Sequence, residues 1–210
     1  MKGLFVTFEG IEGSGKSTQM KMLAAKLEEL GKPSLLTREP GGPPIAENIR
    51  ALLLDPENKE MLRETELLLY SASRAQHTGQ WILPALRQGK IVLCDRYYDS
   101  TIAYQGAARE QNLDFIAVLT RFSTFNTVPD ITFLLDLPVE EGFARIGHRQ
   151  LDRLEQEDRS FHERVRQQYL LLAKEQPGRF VVLDATLSPM ELHKLIINRV
   201  LTHTGVSSER

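Results

Sequence analysis

Gly10-Ile11-Glu12-Gly13-Ser14-Gly15-Lys16-Ser17, followed by Thr18, is the stretch that most limits what this chain can become. It satisfies every fixed position of the pattern G-x-x-x-x-G-K-[ST]. Glycine lets the backbone curl so that successive N–H groups point inward at a polyphosphate. Lys16 adds a mobile charge for the β- and γ-phosphates, and the Ser17 hydroxyl is an oxygen ligand of the kind Mg²⁺ prefers. A helix beginning near Gly15 aims its N-terminus at the same anion. The pattern is short, so its surroundings decide whether it is more than a Gly-rich turn. Leu4-Phe5-Val6-Thr7-Phe8 before it reads as a buried strand. Met20, Leu23, Ala24, Leu27 and Leu30 after it make an apolar stripe at helical spacing, and Gly31 and Pro33 end the helix. Strand, loop and helix is the context the pattern requires.

Four more apolar runs follow: Ser34–Thr37, Ile91–Cys94, Ile131–Leu135 and Phe180–Leu183. Such runs read as strands buried on both faces, as in a parallel sheet covered by helices. Their alternation with helical stretches predicts a three-layer α/β fold in one domain spanning 1–210. Right-handed crossovers put the loops after the strands on one edge, where active sites of open α/β sheets lie. The residues there are Glu9, Arg38, Asp95-Arg96, Asp136 and Asp184. A charge at every strand end is not what core packing asks for. It suits a site handling phosphates and a divalent cation.

Between the strands, Pro43-Pro44 opens a helix through Leu53. A long helical stretch runs from about Met61 to Arg87 and is expected to kink or split at Pro84. Further helices are expected over Leu113–Phe122 and from Pro138 through Ile146. Ser188-Pro189-Met190-Glu191 carries an N-cap, a first-turn proline and a capping-box acid, and opens a C-terminal helix. From Arg149 to Arg166 the chain holds five arginines and five acids with few apolar residues. That is either a solvated helix laced with ion pairs or a lid that carries arginine to phosphates.

The formal net charge is −2, with 26 basic and 28 acidic residues, so there is no strong field for gripping nucleic acid or an acidic membrane. Any anion site must be local. The lone Cys94, inside an apolar run, reads as a small buried hydrophobe and not as a nucleophile. With no signal-like segment and no membrane-length run, a soluble cytoplasmic protein is expected. The five histidines show no metal-ligand spacing, and Trp81 reads as packing.

Asp95 is placed to serve Mg²⁺ or to cap a helix; Arg96 beside it, with Arg38 and Arg74, supplies guanidiniums. One nucleotide needs fewer arginines than these; two phosphate-bearing substrates would use them all. A guanine-reading N-K-x-D run is missing, which lowers a GTPase-switch reading. Kinases of other deoxynucleotide or deoxynucleoside acceptors, and a nucleotide-binding protein that turns over little, stay open at this point.

Six motifs in order resemble the thymidylate kinase family of nucleoside monophosphate kinases: Phe8-Glu9-Gly10, Arg38-Glu39-Pro40-Gly41-Gly42, Ser73-Arg74, Asp95-Arg96-Tyr97, Ala103-Tyr104-Gln105-Gly106 and Leu151-Asp152-Arg153-Leu154-Glu155. The resemblance covers nearly the whole chain. It implies a P-loop NTPase fold with a five-stranded parallel sheet flanked by helices, MgATP as phosphoryl donor, dTMP as acceptor, and a homodimer built around residues 45–53 and 61–80. It implies that the loop from Gly10 to Thr18 holds ATP, with Lys16 on its phosphates and Ser17, Asp95 and Glu9 near the metal. Arg38 and Arg96 would hold the dTMP phosphate, with Glu9 nearby. Arg74 would donate to a thymine carbonyl, Tyr70 would stack on the base, Thr101 and Gln105 would line its pocket, and Tyr104 would pack on the deoxyribose. Members without a basic residue among the variable loop positions, here Ile11, Glu12, Gly13 and Ser14, carry the catalytic arginine in the lid. That lid is about 147–160, and Arg149 and Arg153 are its candidates.

Overall fold

The structure, a computed structural model, describes residues 3–147 and 151–204. Five strands form one sheet in the order β2-β3-β1-β4-β5, and every neighbouring pair is parallel. They are β1 (Leu4–Glu9), β2 (Ser34–Arg38), β3 (Ile91–Asp95), β4 (Ile131–Asp136) and β5 (Phe180–Asp184). Each strand runs one residue past its apolar stretch, onto the charged residue that follows. The last rungs of the ladder therefore set these groups in register: Phe8 and Arg38 both pair with Asp95, and Asp136 pairs with Asp184.

The central strand β1 is buried along its whole length. Leu4, Val6 and Phe8 enter one apolar cluster and Phe5 another, as a period of two on a doubly covered sheet demands. Burial on both faces does not extend to the edges: Leu36 in β2 and Val182 in β5 are exposed. Cys94 is fully buried, and burial raises its thiol well above its ordinary value.

The helices are α1 (Lys16–Glu29), α2 (Pro44–Leu54), α3 (Arg63–His77), α4 (Leu83–Arg87), α5 (Tyr98–Thr101), α6 (Leu113–Ser123), α7 (Val139–Ile146), α8 (Arg159–Glu175) and α9 (Pro189–Thr204). Between α3 and α4 the chain widens into a π turn over Thr78–Ile82. The expected break at Pro84 is thus a change of helical pitch just ahead of the ring, which lacks an N–H and crowds the preceding turn. A second π segment, Ile102–Ala108, continues α5. The capping box at α9 forms as its sequence dictates: Glu191 N donates to Ser188 Oγ at 3.3 Å, and Ser188 N donates to Glu191 Oε2 at 3.0 Å.

Candidate active site

The carboxyl ends of β1, β2 and β3 open into a cavity of ≈ 460 Å³, within the range of small-ligand sites. The other two strand ends do not reach it. Asp136 takes a fork of two bonds from Arg166, at 2.7 and 3.0 Å, and Asp184 closes a turn onto Thr186. Those two charges hold α8 and a loop; of the five strand-end charges expected to serve the site, only Arg38 and Asp95 line the cavity, with Glu9 behind its wall.

On one side of the cavity lies the loop from Gly10 to Gly15, with α1 starting at Lys16. Gly13 has φ +76°, and a Cβ on it would meet Gly142 O at 2.5 Å; a Cβ on Gly142 would meet Glu12 O at 2.7 Å. The loop and α7 therefore pack backbone to backbone, and only glycine on both sides permits it. Lys16 Nζ donates to Gly10 O at 2.9 Å and Ile11 O at 2.8 Å, so the loop wraps its own cation. Burial, with Arg96 adding to it, lowers the ammonium to about 8. Ser17 Oγ donates to Asp95 Oδ2 at 2.8 Å. Gly13, Gly15, Lys16, Ser17 and Thr18 all line the cavity.

Arg96 lies opposite, at φ +67°, a left-handed backbone that a non-glycine residue keeps only where its surroundings enforce it. Its Nη2 donates to Glu12 Oε1 at 2.6 Å and its Nη1 to Tyr169 Oη at 3.1 Å and Ser100 Oγ at 3.3 Å. Burial alone would raise the Glu12 carboxyl, but Arg96, Lys16 and His162 outweigh it and hold it below its ordinary value. Tyr104 donates to the same carboxylate at 2.8 Å and lies under the Arg96 guanidinium, 5.1 Å from ring centroid to charge. Arg38 Nη2 donates to both Glu47 carboxylate oxygens, at 2.9 and 3.0 Å, at the cavity rim.

Glu9 is placed differently from expectation. It is fully buried and does not line the cavity. Oε1 accepts from Tyr97 N at 2.7 Å, and Oε2 accepts from Ser100 Oγ at 2.7 Å and Tyr169 Oη at 2.8 Å. It stands behind the wall that presents Arg96, and burial, with Asp99 adding to it, pushes its carboxyl up to about 7.

At the far end Arg74 is 2 % exposed and lines the cavity. Its Nε donates to Glu39 Oε2 at 2.7 Å and its Nη2 to Tyr97 O at 3.3 Å. His77 Nδ1 meets the other Glu39 oxygen at 3.0 Å, and its Nε2 meets Thr37 Oγ1 at 2.6 Å. Two polar atoms here are buried without a partner, Arg74 Nη1 and Thr101 Oγ1. Native interiors rarely leave such atoms unpaired, so these two mark where a polar ligand edge fits. Tyr70, Tyr104 and Gln105 complete this end.

The lid arginine that the structure describes, Arg153, is not gathered in. Arg149 lies outside the described residues. Arg153 does not line the cavity: its Nη2 is 2.6 Å from Glu66 Oε2 and its Nε donates to Leu53 O at 3.0 Å. The described part of the lid, residues 151–158, is turns and bends, and only the later part of the charged run, from Arg159, is helix, as the start of α8. Two cavity arginines escaped the sequence reading. Arg50 donates to Pro40 O at 2.7 Å, and Arg145 to Ala185 O at 2.9 Å. Arg145 had a signal, since it repeats the spacing of four between Arg149 and Arg153. Arg50 had only its place in a helix beside a glycine-rich strand end.

No group of three or more His, Cys, Asp or Glu among the described residues could hold a metal by itself. A hydroxyl beside a carboxylate, Ser17 on Asp95, fits Mg²⁺, which keeps waters and takes phosphate oxygens.

A family model described as thymidylate kinase matches residues 8–196. A protein named Thymidylate kinase from Trichlorobacter lovleyi is 48% identical over 210 residues, covering 97% of this chain and 99% of its own. One of that name from Pseudomonas putida is 53% identical over 189 residues, covering 90% of each chain. A third, from Geobacter sulfurreducens, is 52% identical over 189 residues, covering 87% of this chain and 89% of its own. With a phosphate loop, an arginine-rich strand edge and a polar-ended cavity joined in one sheet, and this likeness running almost end to end, the chain belongs to the thymidylate kinase family.

Proposed function

We propose that the protein transfers the γ-phosphoryl group of MgATP to the phosphate of dTMP, yielding ADP and dTDP. The observation that carries this is a single cavity with three chemically distinct parts: the phosphate loop, the Arg96–Glu12 pair with Arg38 and Arg50 around it, and an end where Arg74 Nη1 and Thr101 Oγ1 lack partners.

Lys16 donates to loop carbonyls and Arg96 to the Glu12 carboxylate, partners of the kind that phosphate oxygens can replace. Phosphate oxygens of donor and acceptor replace those partners, and the two cations draw the reacting groups together. An oxygen of the acceptor phosphate then attacks the γ-phosphorus in line, and its bond to the leaving ADP oxygen breaks. Positioning and charge neutralisation do most of this work, so no nucleophilic side chain is required. Ser17 would ligate Mg²⁺ and Asp95 would orient that hydroxyl; a bound ion would supply positive charge against the donor phosphates. Glu9, through Ser100 and Tyr169, fixes Arg96 from behind. Arg74 donates to a thymine carbonyl, and Tyr104 closes the sugar end. Arg153 exchanges Glu66 for phosphate when the lid closes over ATP, and Arg109 stays on Glu66 and keeps it ionised.

The partner is a second copy of the chain. Leu52 in α2, Leu68 in α3 and Phe115, Val118 and Phe122 in α6 are exposed apolar residues on helices that pack side by side. This adds α6 to the face expected from sequence. No helix among the described residues is long and apolar enough to cross a membrane. That and a single buried cysteine support a cytoplasmic location.

A coupled ADP-release assay with MgATP and dTMP, dUMP, UMP, dCMP or thymidine tests the reading. Turnover with dTMP and little with UMP or thymidine is expected. ADP release that ignores the acceptor would overturn it.

A further inference from the structure

Glu66 is an acid 1 % exposed in the first turn of α3, and no step of phosphoryl transfer uses it. A buried carboxylate persists only where charge and hydrogen bonds compensate it. Here Arg153 Nη2 at 2.6 Å and Arg109 Nη2 at 3.3 Å supply the charge. The third partner is an amide: Gln105 Nε2 donates to Glu66 Oε1 at 2.9 Å. Gln105 lines the cavity at the end where Arg74 Nη1 and Thr101 Oγ1 stand unpaired.

The two ends of an amide have nearly the same shape and opposite polarity. Turning Gln105 over would cost little sterically, yet it would set a carbonyl oxygen against the Glu66 carboxylate. A carboxylate between two guanidiniums has no hydrogen to give. Glu66 therefore commits the amide nitrogen to the protein and leaves the oxygen for the ligand. We propose that Glu66 is a positioning residue that makes Gln105 a hydrogen-bond acceptor toward the base. It thereby selects a pyrimidine with N–H at ring position 3, as in thymine and uracil, over cytosine, whose bare N3 would face a second lone pair. The inference rests on the base-pocket reading above and adds to it the residue that sets its polarity.

The test measures kcat/KM for dTMP and dCMP, with dCMP as a competitive inhibitor where its turnover is slow, and Tm for every variant. Glu66→Gln has a hydrogen to offer, so the Gln105 amide is free to turn; the dTMP-to-dCMP preference is expected to fall about tenfold or more, the worth of one satisfied buried polar contact. Glu66→Asp still only accepts and is expected to weaken both substrates alike, leaving the preference in place. Gln105→Met is expected to lose the same preference, and adding Glu66→Gln to it should cost nothing further. A folded Glu66→Gln protein with undiminished preference overturns the proposal. If Glu66→Gln does not fold, Gln105→Met decides, and full preference in that variant overturns it. A wild-type protein that uses dCMP as well as dTMP overturns the base-pocket reading itself.

Discussion

Arg96 and Arg74 are both arginines in the cavity wall, yet different forces hold them. Arg96 sits on a strained left-handed backbone and spends its charge on Glu12, a partner that a phosphate can displace. Arg74 is fixed from below by Glu39, itself shared with His77, and offers only one free edge. Glu9 is an acid at a strand end that the fold buries completely. Burial and Asp99 raise its carboxyl from 4.5 to about 7. An acid raised on folding stabilises the fold below its ordinary value and loses that contribution as pH rises through the folded value. Glu9→Gln stays uncharged, so its Tm relative to wild type should climb between pH 4.5 and 7. Thermal melts across that range check it, and a flat difference would show Glu9 already ionised in the fold.

Among elements, the phosphate loop depends on a helix more than a hundred residues away in sequence. Gly142→Ala raises helix propensity by about 1 kcal/mol in the absence of contacts. In α7 the new Cβ would meet Glu12 O at 2.7 Å. The variant is therefore expected to melt lower, by about 1–3 kcal/mol of strain, and to bind ATP more weakly. A melt and an ATP titration measure both, and a more stable variant would mean the loop tolerates the shift. The lid has the opposite character, since its Arg153 rests on α3 through Glu66. If lid closure brings it to the transferring phosphoryl group, Arg153→Ala lowers kcat by about 10³ or more with little change in KM for dTMP. Steady-state kinetics decide, and undiminished kcat would assign the role to another arginine, with Arg145 already at the cavity.

At the scale of the molecule, the near-neutral balance of −2 conceals a sharp local asymmetry. Lys16, Arg38, Arg50, Arg74, Arg96 and Arg145 converge on one cavity. That is enough to hold two phosphate-bearing ligands without giving the surface an affinity for polyanions. The apolar face over α2, α3 and α6 is the complementary asymmetry, with Phe122 79 % exposed. Phe122→Asp places a charge in that face and should shift the protein from dimer to monomer in sedimentation. A wild-type monomer, or an unaltered variant dimer, would move the subunit contact elsewhere.

By itself the sequence determined the parts whose physics is local. The five apolar runs became the five strands, the capping box at Ser188 formed, and the phosphate loop lies between strand and helix where its glycines and flanking periodicities put it. The family motifs marked cavity residues from Arg38 to Gln105: Arg38-Glu39 and Asp95-Arg96 sit at strand ends, while Arg74 projects from within α3 and Tyr104-Gln105 from the π segment after α5. Tertiary structure decided what those charges face. Glu9 turned inward because its three donors, Tyr97 N, Ser100 and Tyr169, come from two other parts of the chain. Asp136 went to Arg166, Arg153 to Glu66, and Arg145 and Arg50 entered the cavity. A charged side chain reads the same in any sequence window. Its role depends on which partner, distant along the chain, lies within about 3 Å of it once folded.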